Sequence, residues 1–226
     1  MIAVAALAAA ACGGSGNDGN SDQLLLPRER LRLMLPGPEN LPGFVQVEET
    51  FSTNEDLADG SSDPEERLAT LEGWGRILGA ERILEPEERA ETGPRIVGLQ
   101  ISVSLYNRDD GAKESFAEAL EFAREADWLA SHPGFGDLQT RELELPDGPV
   151  DEALWLRITG VSDDEDGEDV TMFIDDFVFW RQGNARSLLR MASETDSYDP
   201  DSLLEVVERM LTVQMDLVEA GRSATS

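Results

Sequence analysis

Residues Val170–Ala192 read VTMFIDDFVFWRQGNARSLLRMA. Two runs of aromatic, aliphatic and β-branched residues flank Gly183-Asn184, a pair that marks a tight hairpin turn. Parallel neighbours need a crossover of a dozen or more residues, so strands Val170–Arg181 and Ala185–Ala192 are expected to run antiparallel. Asp175 and Asp176 interrupt the first run. Successive side chains of a strand point to opposite faces, so one of the two must face inward and find a partner such as an arginine, or a bulge sits there.

The same reading extends in both directions. Upstream, Leu138–Leu145 and Ala153–Val161 read as strands. Downstream, a helix is expected near Pro200–Ala220, with Asp199 as its cap and Leu203, Val207, Met210 and Leu217 on one face. A second helix is expected over about Gly111–Ala130, capped by Asp109 or Asp110, with Phe116, Ala119, Leu120, Ala123 and Ala126 at three- and four-residue steps. His132-Pro133-Gly134 ends it. Arg95–Tyr106 alternates Ile101, Val103 and Leu105 with Ser102, Ser104 and Tyr106, a half-buried strand, and a shorter strand is expected near Ala80–Leu84. Asp63-Pro64-Glu65-Glu66 starts a helix: cap, proline, then acids at the positive end of the dipole. Phe44, Val45, Val47 and Phe51 suggest one more strand. Leu24–Leu35 is apolar with interspersed arginines and stops at Pro36-Gly37-Pro38. Short turns between strands and amphipathic helices to cover them predict an α+β domain: one antiparallel sheet with helices packed on it.

The formal net charge is −29, with Lys113 the only lysine. Nucleic-acid binding relies on Lys and Arg against phosphate, so that class is excluded. Direct docking on anionic headgroups is repelled. The charged fraction of 29% and hydrophobic fraction of 40% fit a globular domain.

The chain opens MIAVAALAAAACGGSGNDGNSD, an uncharged run that ends at the single cysteine, Cys12. Met1–Ala11 is shorter than the about 20 apolar residues that span a bilayer and has the length of a secretory h-region. Leu7–Cys12 resembles the lipobox of bacterial lipoproteins, with Ala9 where that family prefers leucine and no Lys or Arg ahead of the run. The resemblance implies cleavage before Cys12 and acylation of that cysteine. Two or more acyl chains hold a protein firmly on a membrane. Gly13–Asp22 holds only Gly, Ser, Asn and Asp, so it reads as a tether with a reach of roughly 17 Å. The expected organisation is a leader at 1–11, a tether at 12–23, an N-terminal extension at 24–40, a globular domain at 41–220 and a tail at 221–226.

Three stretches resemble a known class. WGRILG (Trp74–Gly79), VSLYNRDDGAKESF (Val103–Phe116) and FVFWRQGNARSLLRM (Phe177–Met191), followed by a closing helix, look like bacterial lipoproteins and exported domains of the PsbP-like α/β sandwich type. The resemblance implies a sheet between helices and an extracytoplasmic adaptor or ligand-binding role. It carries over no catalytic residue.

Catalytic and cofactor motifs are sparse. There is no Gly-x-Ser-x-Gly and no phosphate loop. His132 is the single histidine, with Asp137 nearby. One His and one Cys make no zinc site. In SDDEDGED (Ser162–Asp169), Asp164 and Asp166 fall at two positions of a calcium loop aligned on Gly167. Asp164, Asp166 and Glu168 are therefore candidate calcium ligands on an otherwise exposed acidic hairpin loop. Trp74, Trp128, Trp155 and Trp180 either line an apolar pocket or fill the core. No cofactor is expected. The reading is a lipid-anchored, non-enzymatic domain of the bacterial cell envelope, outside the cytoplasm, attached through Cys12 and binding an envelope protein or a small ligand. Its rivals are a secreted hydrolase using paired carboxylates such as Asp175 and Asp176, and an acidic calcium-binding module.

Overall fold

The computed structural model describes residues 25–88, 94–126, 136–163, 170–195, 201 and 203–223. Seven strands form one sheet: β1 (Phe44–Ser52), β2 (Arg76–Pro86), β3 (Arg95–Tyr106), β4 (Gly136–Leu143), β5 (Glu152–Asp163), β6 (Val170–Gln182) and β7 (Ala185–Thr195). The helices are α1 (Leu25–Met34), α2 (Asn54–Asp59), α3 (Pro64–Gly73), α4 (Asp109–Glu125) and α5 (Leu204–Ser223). The sheet order is β1-β2-β3-β7-β6-β5-β4, and every neighbouring pair is antiparallel. Two meanders, β1–β3 and β4–β7, meet where β3 pairs with β7. The expected α+β class with a single antiparallel sheet is the class observed.

The hairpin at Gly183-Asn184 pairs Gln182 with Ala185. Gly183 has φ +54° while Asn184 is not among the positive-φ residues, the pattern of a type II′ turn with glycine at its first central position.

Strand alternation gives the sheet two faces. One carries Leu78, Leu84, Leu99, Ile101, Leu105, Trp155, Val178, Trp180 and Leu189, all buried in the main core. Helices α1 and α5 pack on this face and on each other. In α5, Val207, Met210, Leu211, Met215 and Val218 recur at helical spacing and are buried. The segment 24–40, set apart in the sequence as an extension, contributes Leu31, Met34 and Leu35 to the same core. Leu35 precedes a proline, which disfavours helical backbone, and α1 ends there. Arg82 fastens α1 to the sheet, donating from Nη1 to the Leu35 carbonyl (2.7 Å) and from Nη2 to Glu49 (2.5 Å). Burial pushes the Glu49 carboxyl up, but hydrogen bonds and charge from Arg82 and Arg32 outweigh it and leave it lowered.

Helix α4 covers the other face, against β3, β6 and β7. The Tyr106 hydroxyl lies 2.6 Å from Ser115 Oγ there. Helix α3 joins α4 through a forked bond from Arg67 to Glu118 (2.8 and 2.9 Å).

The sequence missed α2, whose signal is a capping box: Thr53 accepts from the Asp56 N–H, and Asp56 accepts from the Thr53 N–H. It also placed the α4 cap wrongly. Arg108 is the N-cap, with no side-chain cap bond, and Asp109 and Asp110 lie in the first turn. There they still complement the positive end of the helix dipole. Asp199 and Pro200 lie outside the described residues. Among the described residues no helix is long and apolar enough to cross a membrane.

Candidate functional site

Asp175 and Asp176 point to opposite faces of β6, as period two requires. Asp176 enters the core, where it is fully buried. Arg157 on β5 stands opposite it in register and forks onto it, Nε to Oδ1 at 2.8 Å and Nη2 to Oδ2 at 2.6 Å. Trp155 Nε1 donates to the same Oδ1 at 2.7 Å. Burial pushes the Asp176 carboxyl up, while hydrogen bonds and charge from Arg157, and the bond from Trp155, pull the other way. Asp175 faces α4's side and receives Arg190 of β7, Nη2 to Oδ2 at 2.7 Å. Each carboxylate is held by its own arginine on its own side of the sheet. The two do not converge on one cleft, which removes the geometric basis for using them as paired acid–base carboxylates.

The tryptophans are distributed differently from a pocket lining. Trp155 and Trp180 are core. Trp74 is half-buried at the end of α3, with the Arg67 guanidinium 5.4 Å from its ring. Trp128, His132, Cys12, Asp164, Asp166 and Glu168 lie outside the described residues. Asp137, the possible partner of His132, is exposed on β4. Among the described residues no cluster of His, Cys, Asp and Glu is placed to hold a metal ion.

A different set of side chains lines an open pocket. Between α3, α4 and the sheet lies a cavity of about 440 Å³ lined by Arg67, Glu118, Ala119, Phe122, Phe179 and Arg186. That volume falls within the range of small-molecule sites. Phe179 comes from β6, and its ring stacks with Phe177 at 6.4 Å and 10°. Phe122 comes from α4 and is 64% exposed. Arg186 comes from β7, and its Nη1 donates to Ser115 Oγ (2.9 Å) and to the Ser115 carbonyl (3.2 Å).

None of these lining residues was singled out from the sequence as a site residue, and Ala119 was placed only on the apolar stripe of α4. Two signals were available. Phe122 falls outside the α4 stripe of Phe116, Ala119, Leu120 and Ala123, and Phe177 and Phe179 share one face of β6 by alternation. What could not be read is that Arg67, Glu118 and Arg186 meet there.

No family model matches the chain, and no curated protein matches it either. Two solved structures from Mycobacterium tuberculosis are similar to it. One is the extracellular domain of PknH, at 8% identity and a TM-score of 0.45, covering 86% of this chain and 96% of that one. The other is LpqN, described as involved in cell envelope biogenesis, at 16% identity and a TM-score of 0.33, covering 80% and 78%.

Proposed function

We propose that this chain is a lipid-anchored, extracytoplasmic, non-enzymatic domain of the bacterial cell envelope that binds a small ligand between α4 and the sheet. The observation that carries the binding part is the cavity itself: an aromatic wall, Phe179 and Phe122, set beside the charged groups of Arg67, Glu118 and Arg186. Apolar walls with a few placed polar groups are the general form of small-molecule sites. The anchoring part rests on the lipobox-like Leu7–Cys12 and the glycine- and asparagine-rich stretch behind it. In this reading the leader 1–11 is removed, Cys12 carries the acyl chains, 12–23 holds the domain off the membrane, and the PsbP-like sandwich does the binding.

Two measurements test it. In a bacterial host, the wild-type chain is expected in the membrane fraction, with an intact mass that lacks Met1–Ala11 and includes acyl chains. Cys12→Ser is expected to show neither. Soluble wild type that keeps its leader would overturn the anchor.

For binding, the full chain carrying Cys12→Ser is titrated with 2-naphthalenemethanol, an uncharged aromatic probe, and followed by the probe's fluorescence. Saturable binding is expected, and Ala119→Phe, which places a ring in the cavity, is expected to abolish it. Equal binding by both forms would mean that the probe sits elsewhere.

A further inference from the structure

The cavity lies at a local excess of positive charge in a chain whose formal net charge is −29. Arg67 is neutralised by Glu118. Arg186 bonds only neutral oxygens, those of Ser115, and no carboxylate bonds it among the described residues. Behind it Arg76 is buried, donating to the Ser52 carbonyl (3.1 Å), Ser52 Oγ (2.8 Å) and Asn54 Oδ1 (3.1 Å), again neutral groups. Its Nε has no partner. Burial above all, with the charges of Arg186 and Arg67 and against those of Tyr106 and Asp56, lowers the Arg76 pKa to about 10. Arg76 therefore stays protonated at neutral pH and adds to the field at the cavity.

Among the described residues these three guanidinium groups share one bonded carboxylate. Arg76 is buried with no carboxylate bonded to it, which is unfavourable, and an anion beside the half-buried Arg186 offsets part of that cost. The net charge of −29 repels anions at long range, so holding one takes cations close by, as at Arg186. The aromatic side of the cavity, Phe179 and Phe122, takes an apolar body. Arg186 offers the planar donor fork that suits a carboxylate.

We infer that the cavity takes a small organic acid, with its anionic group on Arg186 and its apolar body between Phe122 and Phe179. This inference rests on the ligand-binding reading above and adds the charge and class of the ligand.

The test uses the full chain carrying Cys12→Ser and two probes of similar shape, 2-naphthoate and 2-naphthalenemethanol, titrated at low and high salt. The acid is expected to bind about tenfold more tightly than the alcohol at low salt, the scale of one charge-assisted bond, with the gap narrowing at high salt. Arg186→Gln is expected to erase that preference, bringing the ratio of the two affinities to near one. Arg186→Lys, which keeps the charge and loses the fork, is expected to retain part of it. Phe179→Ala is expected to weaken both probes.

If both probes bind the wild type equally and Arg186→Gln changes neither, the organic-acid inference is wrong and the cavity reading stands. If neither probe binds folded wild type, as judged by circular dichroism, the cavity reading itself fails and takes the inference with it.

Discussion

Asp176→Ala is expected to lower the unfolding free energy by about 3–5 kcal/mol, read as a shift in the urea midpoint at unchanged slope. Asp176 and Arg157 have side-chain exposures of 0% and 1%. At that depth the favourable charge contact is offset by the desolvation of both groups, so the intact pair adds little net stability. Removing one member is different, because the buried guanidinium loses the carboxylate it forks onto and Trp155 Nε1 loses its acceptor.

Arg157→Met combined with Asp176→Leu tests that reasoning. Apolar side chains of similar volume in place of a buried pair are often neutral or stabilising. The double variant is therefore expected to recover most of the loss, short by about 1–3 kcal/mol for the Trp155 N–H left without an acceptor. A single variant as stable as wild type would show that the pair is not desolvated in solution.

Gly111→Ala is expected to cost about 1–3 kcal/mol and to weaken probe binding in the cavity. Gly111 sits in the first turn of α4. A Cβ there would fall far inside contact distance of the Trp74 carbonyl oxygen. The obstacle is backbone, at the tight joint where α3 ends and β2 begins. The joint is fixed further by the Gly75 N–H donating to the Glu72 carbonyl and the Asn107 N–H donating to the Gly75 carbonyl, both at 2.8 Å.

Relief requires α4 to move off α3, and those two helices carry Arg67, Glu118, Ala119 and Phe122 of the cavity wall. Gly73→Ala is the matched control. It lies at the end of α3 with nothing within 4 Å of the new Cβ, so the gain in helix propensity, up to about 1 kcal/mol, is unopposed. If the two variants unfold at the same midpoint, the α3–α4 joint is looser than its geometry indicates.

Local sequence determined the elements. Gly183-Asn184 between two apolar runs required an antiparallel hairpin, because a two-residue connection permits nothing else. Alternation of Ile101, Val103 and Leu105 with Ser102, Ser104 and Tyr106 gave a strand, and the three- and four-residue recurrences in α4 and α5 gave helices with one buried side. Period two also required Asp175 and Asp176 to face apart, and they do. These readings succeed because they depend on neighbours along the chain.

Tertiary structure alone decided the rest. That β3 pairs with β7, joining two meanders into one sheet, follows from burial of a shared apolar face and not from any turn. Arg157 meets Asp176, and Arg190 meets Asp175, because of cross-strand register. The cavity draws on α3, α4, β6 and β7, whose residues are distant in sequence. Arg67, Glu118, Phe179 and Arg186 look locally like ordinary surface and strand positions. Only packing α4 across the sheet brings their side chains around a common space and concentrates positive charge in an acidic protein.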